Sequence, residues 1–146
     1  MTTVNVYLNF NGNCEKAFNF YQSVLGGEFT YKGKFGEMPP QEGMPPLADA
    51  DKDKIMHISL PISKETVLMG SDTLEAFGPK SVVGNNFSIS INTDSTQEAD
   101  RLFKKLSEGG KVIMAMEKTF WGAYFGMLTD KFEINWMINV DLEEGH

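Results

Sequence analysis

Few side chains in this sequence could do acid–base or nucleophilic chemistry from inside a fold. His57 stands in the run IMHISLPI, residues 55–62, where Ile55, His57 and Ser59 alternate with Met56, Ile58, Leu60 and Ile62. Alternation with period two marks a half-buried strand, so His57 and Ser59 share one face of a sheet. An imidazole with an ordinary pKa of about 6.5 can give or take a proton near neutral pH. His57 therefore has two readings: a general acid or base, or a polar residue satisfied within a sheet. The second is the commoner outcome for a histidine with no carboxylate on its own strand face. The other histidine, His146, is terminal. Asp72 and Asp130 stand in predicted turns, where aspartate commonly bonds backbone N–H groups. Cys14 lies near a predicted helix start, which favours a thiolate, but its neighbours Asn13 and Glu15 supply no cation. Trp121 either roofs a pocket or fills a core. The sequence contains no Gly-rich phosphate loop, Cys-x-x-Cys, His-Glu-x-x-His or Gly-x-Ser-x-Gly.

The elements that must position these residues fit a globular chain. At 146 residues one domain is expected, with 41% hydrophobic and 23% charged residues. A net charge of -7 argues against a phosphate-backbone binder, which needs clustered Lys and Arg. One cysteine allows no intrachain disulfide. No apolar run is long enough for a membrane span, and the N-terminal MTTVNVYLNF lacks a basic leader region. A cytoplasmic protein is the expectation. Nine Met and eleven Phe suit an adaptable apolar interior or pocket.

Taken in order, Val4–Phe10 alternates as a strand. Asn13 is placed to cap a helix whose stripe is Ala17, Phe20, Tyr21 and Val24, and Gly26-Gly27 ends it. Glu28–Gly36 is a second predicted strand. Residues 37–54 hold two Met-Pro-Pro triplets that exclude regular structure, and a loop of that length is functional or mobile. Strands over 55–62 and 66–71 precede a polar connection, 71–85. Then the pattern begins again: a strand through Phe87, Ile89 and Ile91, a capping box Ser95-Thr96-Gln97-Glu98, a helical stripe and Gly109-Gly110. The second stripe, Ala99, Leu102, Phe103 and Leu106, repeats the first 82 residues later. Three more strands, near 111–116, 124–128 and 134–140, complete the second copy. The chain is thus an α+β protein built from two βαβββ modules, about 1–75 and about 84–146, within one domain 1–146. Each helix covers the outer face of its own sheet.

The stretches YLNFNGNCEKAFNFYQSVLGGEF, LMGSD and FWGAYFGMLTDKFEINWMIN resemble the PhnB-like branch of the vicinal-oxygen-chelate superfamily, which includes glyoxalase I, extradiol dioxygenases and bleomycin-binding proteins. The resemblance spans nearly the whole chain. It implies paired modules that form an open, curved mixed sheet around a concave pocket, and frequent homodimers. It also implies a divalent metal, held by a His or Gln on the first strand and a Glu on the last strand of each module. Aligned by strand, those positions fall at Asn5 and Asn86, and at Met69 and Met137. Amides are weak ligands and thioethers suit soft metals, so no metal and no cofactor are expected. Some members of this branch carry a ubiquinone-pathway methyltransferase label, but no Gly-rich loop for a methyl donor is present.

By strand parity the concave face carries Asn5, Tyr7, Asn9, His57, Ser59, Met69, Ser71, Asn86, Ser88, Ser90, Phe125, Met137 and Asn139. Trp121 joins them as a candidate. Such a lining of amides, hydroxyls, aromatic rings and Met suits a small organic ligand. Three functions follow as expectations: a small-molecule binder without the superfamily's metal, an enzyme on a small carbonyl or aromatic substrate with His57 as acid or base, or a homodimer whose partner contact is its main role. In the enzyme reading Tyr7 or Ser59 orients the substrate. Nucleic acid and membrane are not expected partners.

Overall fold

The computed structural model describes residues 2–39, 42–43 and 45–142. The Pro-rich segment is therefore only partly described: Pro40, Gln41 and Met44 lie outside these residues, as does His146. The chain divides into two compact units, Met1–Val82 and Val83–His146.

In unit 1, β1 (Val6–Phe10) leads into α1 (Cys14–Leu25), then β2 (Tyr31–Lys34), β3 (Ile55–Pro61) and β4 (Val67–Asp72). The strands form one four-stranded sheet in the order β1-β4-β3-β2. β1 runs parallel to β4 and the other pairs are antiparallel. The first strand starts at Val6 rather than Val4, because the ladder to β4 begins there and Val4 is 94% exposed.

The stripe of α1 is shifted from the expected one. Cys14, Ala17, Phe18, Tyr21 and Val24 are buried, and Phe20 lies at the edge. Phe18 takes the central place because β4 offers it a gap at Gly70. A Cβ there would stand 2.7 Å from the Phe18 ring and 2.8 Å from the Leu8 carbonyl. Filling that gap with a phenyl group is worth several kcal/mol, since truncating a buried Phe to Ala costs about 3–5 kcal/mol. Asn13 makes no side-chain cap. The helix start is instead held from β4: Asp72 Oδ1 accepts the N–H groups of Gly12 and Cys14, both at 2.9 Å. Its Oδ2 accepts Ile55 N–H at 2.8 Å. Asp72 is thus no turn residue but a buried clamp, 4% exposed, joining β4, α1 and β3. Its three bonds satisfy groups that would otherwise be costly to bury.

Unit 2 repeats the plan with β5 (Ile89–Asn92), α2 (Thr96–Ser107), β6 (Lys111–Lys118), β7 (Ala123–Thr129) and β8 (Asn135–Asp141). Its sheet order is β5-β8-β7-β6, again with one parallel pair, β5 with β8. Each helix packs on the strands of its own unit. This is the expected α+β fold of two βαβββ modules. Ser95 caps α2 as predicted, accepting Glu98 N–H at 3.1 Å, but the Glu98 carboxylate turns to Arg101. Asp130 does sit in a turn, accepting Phe132 N–H at 2.7 Å and Ile134 N–H at 3.1 Å. It also accepts the buried Trp136 Nε1–H at 2.8 Å.

The ladders correct one repeat equivalence. Tyr7 lies opposite Met69, and Ser90 lies opposite Met137. If Met69 and Met137 are mates, then Tyr7 and Ser90 are mates, and Asn5 pairs in the repeat with Ser88 rather than Asn86. Pairing both Asn5 with Asn86 and Met69 with Met137 would need a ladder slip that neither parallel pair, β1 with β4 or β5 with β8, contains. Side-chain contacts at the mates agree. Ser71 Oγ donates to Asn9 Oδ1 at 3.5 Å in unit 1, and Asn139 Nδ2 donates to Asn92 Oδ1 at 3.1 Å in unit 2.

Candidate functional site

The open face of unit 1's sheet, opposite α1, collects six of the predicted concave-face residues. Across its four strands one row reads Tyr7, Met69, Ser59, Tyr31, each directly opposite the next. The adjoining row carries Asn9 opposite Ser71, and His57 opposite Gly33. His57 therefore stands diagonal to Tyr31 on the adjoining strand, within reach of a long side chain, and two strands away from Tyr7 across β4. Tyr7 Oη lies 3.1 Å from His57 Nδ1, and the two rings stack with centroids 5.6 Å apart. The Tyr31 ring closes the other side, 5.7 Å from the imidazole. Tyr31 can lean in because Gly33 has no side chain: a Cβ there would stand 2.7 Å from the Tyr31 hydroxyl. The tyrosines are about half exposed, at 43% and 49%, so a ligand can reach them.

The Tyr7–His57 contact defines what the imidazole can do. When the Tyr7 hydroxyl donates to Nδ1, the ring proton sits on Nε2 and His57 offers a donor to the open face. When Nδ1–H donates to the Tyr7 oxygen, Nε2 is a lone-pair acceptor and base. Either tautomer leaves Nε2 as the working atom.

Tyr31 was not singled out from sequence, although its alternation with Gly33 inside a predicted strand carried the signal. Asn5 lies before β1 and is exposed, so it does not join the rows. Asn86 and Ser88 likewise precede β5. In unit 2, Met137 sits in the row Ser90, Met137, Met127, Met114. Phe125 lies opposite Asn139 and touches the Trp121 ring, centroids 6.3 Å apart. Trp121 is 54% exposed beside the fully exposed Phe120, so it fills no core. Ser88 borders a cavity of about 600 Å³ with Met127 and Asn135. Unit 1 holds a cavity of about 620 Å³ beyond Asn9 and Ser71.

Cys14 is fully buried, and burial first, then the charges of Asp72 and Glu15, push its thiol far above the ordinary range. It is no nucleophile. Among the described residues no three His, Cys, Asp or Glu side chains converge to hold a metal ion. The donors at the positions where the resemblance implies a metal, amide or hydroxyl at Asn5, Asn86 and Ser88 and thioether at Met69 and Met137, do not fit a hard divalent ion. Among the described residues no helix is long and apolar enough to cross a membrane.

This arrangement of two βαβββ modules is matched by known proteins. The chain belongs to the Glyoxalase/Bleomycin resistance protein/Dioxygenase superfamily, whose sequence model matches residues 3–138. It is 38% identical over 139 residues to the protein YjdN of Escherichia coli, covering 92% of each chain. Its fold superposes with a TM-score of 0.83 on protein PA1353 from Pseudomonas aeruginosa, at 42% identity, covering 98% of this chain and all of that one. A putative 3-demethylubiquinone-9 3-methyltransferase, the PhnB protein from Bacillus cereus, shares the fold with a TM-score of 0.74 at 21% identity, covering 95% of this chain and 99% of that one.

Proposed function

We propose that this chain is a small-molecule-binding member of the superfamily, taking an organic, aromatic ligand on the open face of unit 1's sheet, without the superfamily's divalent metal. The observation that carries the reading is His57 held between Tyr7 and Tyr31, with the Tyr7 hydroxyl at Nδ1. Two half-exposed rings offer stacking area, Nε2 offers one directed hydrogen bond, and Asn9, Ser59 and Ser71 offer neutral polar groups beside them. The donor chemistry at Asn5, Asn86, Met69 and Met137 supports a site that works without a hard metal. The buried free thiol of Cys14 is in keeping with a cytoplasmic setting, and self-association as a homodimer is part of the proposal.

Thermal-shift screening tests this. Planar organic compounds should raise the melting temperature, divalent metals should not, and His57→Asn should remove the organic response. A stoichiometric metal on the purified protein would contradict the reading. Light scattering checks the dimer.

The Tyr7–His57 contact also favours a second reading, in which His57 is the acid or base of a lyase, isomerase or dioxygenase-like enzyme acting on a small carbonyl or aromatic substrate. Tyr7 then orients the imidazole and sets which nitrogen is protonated. In that case His57→Asn abolishes turnover with the fold intact, and unchanged turnover would exclude the role.

A further inference from the structure

The open face of unit 1 continues past its last ladder pair. After β4 the chain runs through residues 73–81 as a strap that walls the cavity of about 620 Å³ bordering Asn9 and Ser71. One side chain holds this strap at both ends. Asn11, in the turn before α1, accepts Thr73 Oγ1–H at 2.7 Å and Ser81 N–H at 2.9 Å on its Oδ1. Its Nδ2 donates to the Ser81 carbonyl at 3.0 Å. The cavity is therefore a preformed feature of unit 1.

Its apolar wall is a stacked pair, Phe35 and Phe77, with ring centroids 5.8 Å apart and planes 19° apart. Phe35 is buried and Phe77 is 47% exposed, which leaves one aromatic face open to a third ring. Two lining residues carry charge. Asp72 is committed to three backbone N–H groups and is buried. Lys80 is exposed and enters no ion pair among the described residues. The charge left for a ligand is therefore positive, in a chain that is acidic overall.

Resting on the reading above, we infer that the cavity selects planar aromatic carboxylates. The ring lies on Phe77 over Phe35, and the carboxylate accepts hydrogen bonds from the Lys80 ammonium. The far edge of the ligand then points along Asn9 and Ser71 toward His57. Asn11 is a positioning residue that acts through the strap.

Calorimetric titration of the full chain with 2-naphthoate and with its uncharged amide, 2-naphthamide, tests this. The carboxylate should bind about tenfold more tightly or better, as a charge-assisted bond would give. Lys80→Gln should erase that preference while leaving naphthamide binding unchanged. Asn11→Ala should weaken both ligands together. Lys80 is a surface residue, so its variant keeps the fold, which a melting curve verifies. Equal affinity for acid and amide, a preference that survives Lys80→Gln, or no binding of either would overturn the inference. If neither naphthyl compound binds but other organic compounds still give a His57-dependent thermal shift, the carboxylate inference falls and the reading of the open face stands. If no organic compound gives such a shift, both fall.

Discussion

The two units share connectivity and ladder pattern, yet their open faces differ in chemistry at most matched positions. Where unit 1 has the row Tyr7, Met69, Ser59, Tyr31, unit 2 has Ser90, Met137, Met127, Met114. Where unit 1 has His57 beside Met69's row, the mate in unit 2 is Phe125, opposite Asn139. Only the Asn9 and Ser71 pair keeps its polar character, as Asn92 and Asn139. The apolar sides, by contrast, both stay buried and apolar: the cross-strand pair Leu60 and Leu68 under α1 answers Leu128 and Trp136 under α2, and the pair Ile58 and Gly70 answers Gly126 and Ile138. Duplication has preserved the faces that fold the modules and let the open faces diverge. A titratable cluster in one unit and a thioether row in the other are suited to different tasks. Acid–base or polar recognition belongs to the first, and soft apolar contact to the second.

The sharpest way to break this comparison is through the buried carboxylates, one per unit. Asp72→Ala should cost about 3 kcal/mol or more, because two buried backbone N–H groups and one part-buried one lose their acceptor. Asp130→Ala should cost less. Its bonds to Phe132 and Ile134 lie within one turn, where the released groups can reach water, and a further loss falls on Trp136. Chemical denaturation of the two variants measures the difference.

Function should separate the units next. His57→Asn should weaken an organic ligand at least tenfold, the scale of one lost directed hydrogen bond together with ring stacking. Tyr31→Leu should cost the ligand about 1 kcal/mol. Met114→Leu, at the matching position of unit 2, should change affinity by less than twofold. Calorimetry on the three variants distinguishes a site in unit 1 from one spread over both faces.

The smallest effect concerns Lys32, which pairs with Glu15 across β2 and α1 at the surface. The hydrogen bond from Lys32 is the main cause that holds the Glu15 carboxyl below its usual range. Its stabilisation is present above the ordinary glutamate value of about 4.3 and is lost as pH falls through the lowered folded value. Lys32→Met should therefore cost no more than about 1 kcal/mol at pH 7, and the cost should fade in acid. Melting curves at pH 7 and at low pH measure it.

Much of the fold was legible in the sequence because its signals are periodic. Period-two runs located the strands, helical stripes located α1 and α2, and their repetition 82 residues apart exposed the duplication. What escaped was set by contacts between distant segments. Phe18 displaces Phe20 from the core because of a gap at Gly70, a residue of another strand. Asn13 looked like a cap, but Asp72, far along the chain, supplies the acceptor. The candidate site was half legible for the same reason. Parity placed Tyr7, Asn9, His57, Ser59 and Met69 on one face. Their meeting with Tyr31 depends on the β2–β3 register and on the room left by Gly33, which no local pattern encodes. In unit 2 the equivalence of Asn86 with Asn5 came from a repeat alignment that slips by two against the pairing of Met137 with Met69.

The central claim is that unit 1's open face holds the ligand. Selective ¹³C labelling of methionine methyl groups tests it directly, with Met69 reporting unit 1 and Met114, Met127 and Met137 reporting unit 2. A ligand found by thermal shift should perturb Met69 saturably, with a matching change at the His57 imidazole, and leave the three unit 2 signals in place. Saturable shifts at Met127 and Met137 with Met69 and His57 unmoved would contradict the account.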